Sequence, residues 1–157
     1  MKIVSYEQAL HRLAAYCSCA ERCSFDLRKK MADWELSGSD CNKIIEKLQK
    51  ENFLSDERFC MAFVRDKFRY NKWGVHKIRY ELKKKQLPEN LIDSALQEID
   101  NQSNTEQLRL LLAHKHKSVK GANDYEINQK LIRFAIGRGF DLEDILRVLP
   151  EFQTTPF

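Results

Sequence analysis

The chain has 157 residues, of which 43% are hydrophobic and 32% charged, and its formal net charge is +4. This composition is typical of a folded soluble protein and excludes a disordered chain, which would lack the apolar side chains needed for a core. No apolar run approaches the roughly 20 residues of a membrane span, and the first residues show no signal-peptide core. We therefore expect a cytoplasmic protein that has no membrane partner.

Helical periodicity dominates the sequence, which shows no sustained strand alternation and contains only three prolines. The pattern predicts nine helices in three groups of three. In chain order the helices are 5–19, one that starts behind Ser24 as N-cap, 40–50, one that starts behind Ser55, 75–86, 88–99, 105–113, one that includes 125–135, and one that starts behind Asp141.

The segments between these helices are short and polar. Residues 37–39 and 100–104 are predicted to be loops, and 114–123 to be the least ordered internal segment. From Pro150 onward, residues 150–157 are expected to form a frayed C-terminal tail.

The three groups of helices align with one another in sequence. Equivalent positions carry apolar residues at a period of about 50, which indicates a repeat architecture. We predict three three-helix repeats, at 1–54, 55–100 and 105–149, and an all-α protein in which they form an elongated, curved array. The equivalent trios are Leu27, Ile78 and Leu131; Met31, Leu82 and Ala135; Leu36, Leu87 and Phe140; Ile44, Ile92 and Ile145; Leu48, Leu96 and Leu149.

The middle repeat carries the positive charge of the chain. Residues 55–88 contain ten Lys or Arg against four acids, a net charge of +6, whereas the flanking segments carry +1 and −3. A solvated helix face usually mixes both signs, so an excess of one sign favours a surface for anionic partners. The candidate binding residues are Arg65, Arg69, Lys72, Trp73, Lys77, Arg79, Tyr80, Lys83, Lys84 and Lys85.

Three of the residues in this segment also allow a structural interpretation. Trp73 and Tyr80 are candidate stacking residues, but Trp73 also suits packing at the junction between two helices. Arg58 lies in a first helical turn, and we expect it to pair with neighbouring acids rather than with a partner.

Metal binding and catalysis find little support in the sequence. Cys17, Cys19 and Cys23 cluster with His11, but the spacing matches no common zinc motif and no paired Cys/His group follows. Cys17 and Cys60 continue apolar helix faces, so we expect reduced core thiols. No phosphate loop, catalytic carboxylate pair or nucleophile–base motif is present, and we predict no enzyme activity, metal or cofactor.

Two sequence signatures resemble those of the RecX family, regulators of the RecA recombinase. The first comprises Asp56, Arg58, Phe59, Arg65, Lys72, Gly74, Lys77, Ile78, Leu82 and Lys85, and the second is 130–140 (KLIRFAIGRGF). The resemblance covers about residues 5–149. Where the family commonly has glycine, this chain has Gln86, which must then adopt a left-handed turn with some strain or form a different turn.

The resemblance implies a non-enzymatic regulator of homologous recombination, DNA repair and the SOS response. Such a protein binds the RecA filament as a monomer, lies in its groove, and inhibits ATP hydrolysis and strand exchange; contact with single- or double-stranded DNA is weak or occurs through RecA. The alternative is a direct DNA-binding protein built from helix-turn-helix-like units. DNA affinity that survives physiological salt distinguishes this alternative, since phosphate contacts weaken steeply with salt.

Overall fold

The structure is a computed structural model that describes residues 4–152. Within this range the chain forms α-helices and one 3₁₀ helix and contains no strand, so the predicted all-α class is confirmed. None of the helices in this range is both long and apolar enough to cross a membrane. The helices are α1 (Tyr6–Cys19), α2 (Ser24–Asp33), α3 (Gly38–Lys50), α4 (Asp56–Arg69), α5 (Val75–Lys84), α6 (Glu89–Leu96), α7 (Asn101–His116), α8 (Asp124–Gly137), α9 (Leu142–Val148) and the 3₁₀ helix Leu149–Phe152.

The helices group into two compact units. Of the described residues, the first unit contains 4–63 together with Leu82–Ala95, and the second contains Val64–Glu81 together with 96–152. The first therefore includes α1 to α3 and α6, the second includes α7 to α9, and α4 and α5 contribute to both. The division of the sequence at 1–54, 55–100 and 105–149 stays a prediction about domains.

Each unit has its own apolar core. In the first unit, α1, α2 and α3 bury Leu13, Leu27, Met31, Ile44 and Leu48, all fully inaccessible to solvent. In the second unit, α7, α8 and α9 bury Leu108, Leu112, Leu131, Ala135 and Ile145 to the same degree. Burial of such side chains stabilises each unit by about 1.5–3 kcal/mol per large residue before the entropy cost is counted.

The predicted equivalence of the repeats is visible in the burial pattern. Four of the five trios are buried throughout; in the fifth, Leu87 and Phe140 are buried and Leu36 is half-buried. Directly before these three residues the backbone adopts a left-handed conformation, at Glu35 (φ 60°), Gln86 (φ 56°) and Gly139 (φ 97°). The second helix of each group thus ends in the same turn, and of the two alternatives given for Gln86 the structure shows the left-handed turn.

Several predicted boundaries are wrong, each for a local reason. Ser24 is the first residue of α2 rather than its N-cap, which is Cys23. The predicted loop 37–39 instead starts α3, because the Ser37 hydroxyl caps the helix by accepting a hydrogen bond from the Asp40 N–H group. The predicted loop 100–104 is the first turn of α7, where the Asp100 carboxylate accepts from the Ser103 N–H group at 2.6 Å.

The remaining differences concern helix ends. Helix α7 continues through His116, so the segment predicted to be least ordered begins three residues later than expected. Helices α5 and α6 are shorter than predicted, at Val75–Lys84 and Glu89–Leu96. The predicted tail begins with an ordered 3₁₀ helix in which Leu149 is buried, and residues 153–157 lie outside the described residues.

Candidate functional site

The ten candidate binding residues lie along the end of α4, the following turn and α5. The compact units divide them. Seven residues, from Arg65 to Tyr80, belong to the second unit, and Lys83, Lys84 and Lys85 belong to the first. Helix periodicity further divides the residues of each unit, because positions three or four apart share a face and positions one or two apart do not.

The last two turns of α4 present an exposed cationic face. Arg65 and Arg69 are four residues apart, so their side chains lie on the same side of the helix. Both are exposed, and neither guanidinium forms an ion pair with any residue in the range 4–152. Lys72 follows in a left-handed conformation (φ 58°) that turns the chain back, and its Nζ donates to the Arg69 carbonyl oxygen at 2.7 Å.

Trp73 lies at the turn between α4 and α5 and is half-buried. The Nζ atoms of Lys67 and Lys77 lie 5.1 Å and 4.7 Å from the centre of its ring, within the range of cation–π attraction. The Trp73 N–H group donates to the Lys67 carbonyl oxygen at 3.1 Å, which anchors the residue to the end of α4. Trp73 therefore holds two ammonium groups close to the turn.

The C-terminal half of α5 combines exposed and paired residues. Tyr80 is 63% exposed, Lys84 is exposed and Arg79 is half-buried. Lys83 forms an ion pair with Glu89 at 2.6 Å, and both side chains are about half exposed. Lys85 is less accessible, because its ammonium group lies between both oxygens of the Asp26 carboxylate, at 2.9 Å and 3.0 Å.

A groove of about 450 Å³ opens beside the cationic end of α4 within the second unit. Arg65, Arg69 and Lys72 line one side, and Glu98 and Glu106 line the other. The sequence prediction missed the acidic side, because it placed 100–104 in a linker and started α7 at about residue 105, whereas the helix begins at Asn101. The acceptor at position 100, three residues before Ser103, was the signal for an earlier helix start.

Two glycines hold the α4–α5 turn against the end of α8. The Gly74 N–H group donates to the Arg138 carbonyl oxygen at 2.7 Å, and the His76 N–H group donates to the Gly139 carbonyl oxygen at 3.0 Å. A Cβ atom on Gly74 would lie 2.5 Å from the Gly139 carbonyl carbon, closer than non-bonded atoms approach. The glycines of the two sequence signatures therefore meet in one backbone contact.

The first signature also contains residues that connect α4 to the α1–α2 turn in the first unit. The Asp56 carboxylate accepts hydrogen bonds from the Ser24 N–H and hydroxyl groups, both at 2.7 Å. Arg58 Nε donates to Glu21 at 2.8 Å, and its Nη2 donates to the Asn52 carbonyl oxygen at 2.8 Å. The expectation that Arg58 pairs with a neighbouring acid is confirmed.

The five cysteines are free thiols. Cys17, Cys23, Cys41 and Cys60 are buried, which confirms the predicted core placement of Cys17 and Cys60, while Cys19 is exposed. Burial raises the pKa of Cys23 to about 12 and the pKa of Cys60 to about 11, and it also raises the pKa of Cys17. No group of three or more metal-ligating side chains occurs in the part of the chain that the structure describes.

Comparison with known proteins places these features in a family. A family model for the second three-helix domain of RecX matches residues 55–96, and one for the third three-helix domain of RecX matches residues 102–149. The chain is 30% identical over 147 residues to the regulatory protein RecX of Prosthecochloris aestuarii, with 94% of this chain and 95% of the relative covered. To the regulatory protein RecX of Clostridium botulinum it is 33% identical over 111 residues, covering 69% of this chain and 51% of the relative. The chain thus spans about half the length of that clostridial relative.

Two solved structures have a similar fold. The crystal structure of a regulatory protein RecX superposes with a TM-score of 0.85 at 21% identity, covering 92% of this chain and 73% of that one. The crystal structure of RecX from Lactobacillus salivarius gives a TM-score of 0.80 at 19% identity, covering 93% and 95%. At these identities the likeness supports the helical fold alone.

Proposed function

Because the chain belongs to the RecX family of regulatory proteins, we propose that it binds the RecA–DNA filament and inhibits its ATPase and strand-exchange activity. In this proposal the protein acts by occupying the filament rather than by catalysis, and it works in the cytoplasm as a monomer. The family assignment supports a regulatory role, and the choice of partner and the direction of the effect belong to the proposal.

The observation that carries this function is the exposed cationic surface within the segment matched to the RecX second domain. Residues 55–88 hold a net charge of +6, and Arg65 and Arg69 extend from α4 without an ion pair to any described residue. A filament of protein on DNA presents phosphates and carboxylates in a regular array, so such cations gain complementary charges on binding. Their contacts position the protein and carry no base sequence information.

The decisive experiment measures the DNA-dependent ATPase of RecA on single-stranded DNA, with the protein added at substoichiometric amounts. We expect the rate of ATP hydrolysis to fall, because a regulator that occupies a filament affects many protomers at once. A rate that stays unchanged when the protein is raised to equimolar amounts with RecA would overturn the proposal.

The alternative, direct DNA binding, is distinguished from filament regulation by measuring the affinity for bare oligonucleotides as the salt concentration is raised. A filament regulator is expected to lose its bare-DNA affinity by physiological salt while it still binds the filament. Tight binding to bare DNA at that salt concentration, together with an unchanged RecA ATPase, would favour the direct DNA-binding alternative.

A further inference from the structure

We infer that the groove beside α4 is a docking site for a protein segment of the filament rather than for DNA. The segment has a large apolar side chain flanked by charged residues of both signs. This inference rests on the proposed function and deepens it, because it assigns part of the cationic surface to contact with protein. Three properties of the groove support it: the apolar side chains in its lining, its charges of both signs, and the hydrogen bonds that hold its walls.

Three large apolar side chains lie among the polar and charged residues that line the groove. Phe68 and Ile99 are half-buried there, and Leu110 projects from α7 with 63% of its surface exposed. A volume of about 450 Å³ falls within the size of sites that enclose small ligands or anchoring side chains. Covering these side chains with an apolar residue removes hydrocarbon surface from water, which a phosphate backbone cannot do.

The two sides of the groove carry opposite charges. Arg65, Arg69 and Lys72 attract a carboxylate, whereas Glu98 and Glu106 attract a cation and repel a phosphate. Nucleic-acid surfaces are usually cationic throughout, because every phosphate adds to the repulsion from an acidic side. The charge pattern therefore complements a peptide that presents both signs.

The walls of the groove are held in place before any partner binds. Gln107 Nε2 of α7 donates to the Phe68 carbonyl oxygen of α4 at 2.7 Å, which links the two sides. Lys72 is fixed by its bond to the Arg69 carbonyl oxygen, and the start of α7 is fixed by the Asp100 cap. A preformed site loses less entropy on binding, which favours recognition of a defined segment.

The test uses a charge substitution that is expected to strengthen binding if the groove receives phosphate and to weaken binding if it receives a peptide. Glu106→Lys places a cation beside Glu98 and raises the summed charge of the groove's lining residues from +1 to +3, so it strengthens binding if the groove receives phosphate. If the groove receives a peptide cation, the same change weakens filament binding by about fivefold, or ~1 kcal/mol, and adds no deficit on bare DNA. Glu143→Lys, an exposed acid on α9 outside the groove, is the control for the change in net charge.

A second variant tests the apolar contact. Leu110→Ser is expected to weaken filament binding by about fivefold, whereas Leu146→Ser, a leucine 51% exposed on α9, is expected to have no effect. Both leucines are largely exposed, so both variants should keep the parent circular dichroism spectrum.

The binding is measured by fluorescence anisotropy with RecA assembled on labelled oligodeoxythymidylate, and with the same oligonucleotide alone. The docking site is supported if the parent protein binds the filament, Glu106→Lys and Leu110→Ser bind it more weakly, and the two control variants bind it as the parent does. Stronger filament binding by Glu106→Lys, or parental binding by both groove variants, overturns it and leaves the proposed function intact. Failure of the parent itself to bind the filament overturns the proposed function.

Discussion

Gly74 and Gly139 lie where a larger residue would collide with neighbouring backbone. Gly74 and Gly139 are 65 positions apart in the sequence, yet their backbones are in direct contact within the second unit. Gly139 also adopts φ 97°, where residues with a Cβ atom are strained. The contact fixes the α4–α5 turn, and with it Lys72 and Trp73, relative to the end of α8.

We predict that Gly74→Ala lowers the free energy of unfolding by about 2 kcal/mol or more, because the added Cβ atom collides with backbone that cannot yield. Gly139→Ala should cost at least as much, since it adds backbone strain to a similar collision. Urea denaturation provides the measurement. The matched control is Gly137→Ala, two residues away in α8, where a Cβ atom meets open space and alanine should stabilise the helix by about 0.5–1 kcal/mol. Equal stability of Gly74→Ala and the parent would contradict this account of the contact.

The cysteines allow a prediction about reactivity. The thiolate is the nucleophilic form, and burial raises the pKa of Cys17, Cys23 and Cys60 and shields these sulfur atoms from reagents. In the native protein near pH 8, we expect a thiol reagent to label one cysteine rapidly, namely the exposed Cys19. Cys19→Ser should abolish the rapid phase, and denaturant should release the remaining thiols. Two or more rapid equivalents in the parent would show that the buried thiols are accessible.

At the scale of a helix, α2 obtains its N-terminal cap from a distant part of the chain. The side chain of its own N-cap residue, Cys23, makes no capping hydrogen bond, and the Asp56 carboxylate of α4 accepts from Ser24 instead. A carboxylate at this position pairs a helix N–H group and faces the positive end of the helix dipole. The cap therefore joins α4, whose first residue begins the first signature, to α2.

We predict that Asp56→Ala lowers the free energy of unfolding by about 1–2 kcal/mol, because the Ser24 N–H group and hydroxyl lose their acceptor. Asp56→Asn keeps one acceptor oxygen and should lose less. Asp66→Ala, which removes an exposed acid from the same helix, should lie within about 0.5 kcal/mol of the parent. Thermal and urea unfolding followed by circular dichroism measure all three, and a loss in Asp66→Ala equal to that in Asp56→Ala would contradict the cap.

Some features of the fold and of the groove could be predicted from the sequence, and others could not. Helix faces depend on neighbours three and four residues apart, so the buried positions Ile78, Leu82 and their equivalents could be inferred from spacing. The start of α7 was missed because Asn and Ser favour loops over helix interiors, and only the Asp100 cap signalled otherwise. The Asp56–Ser24 bonds, the Gly74–Gly139 contact and the acidic side of the groove join residues far apart in sequence. Local pattern holds no information about such pairs.

For the molecule as a whole, the distribution of charge matters more than its sum. The net charge is +4, but residues 55–88 carry +6 and the rest of the chain −2. Such an uneven field orients a protein as it approaches a charged partner and raises the association rate. The cations of this segment fall into two groups. Arg65, Arg69 and Lys72 line the groove together with Glu98 and Glu106, and the lysines of α5 form the other group.

We predict that function follows the lysines of α5. Reversing Lys77, Lys83 and Lys84 to Glu changes the charge of residues 55–88 from +6 to 0. It also removes the Lys83–Glu89 pair and the contact of Lys77 with Trp73, each worth about 1 kcal/mol or less at such exposure. That loss is small beside the 5–15 kcal/mol that stabilises a typical domain, so the fold should survive.

If these side chains meet phosphates or carboxylates, filament binding should weaken at least about tenfold, or ~1.4 kcal/mol, and suppression of RecA ATPase should weaken in parallel. The same reversal at Lys115, Lys117 and Lys120 changes the net charge equally but lies at and beyond the end of α7, so it should have the smaller effect. Comparing the two triple variants at one salt concentration separates the position of the charge from its amount. A folded α5 variant that suppresses RecA ATPase as strongly as the parent would show that the cations of this helix do not carry the interaction.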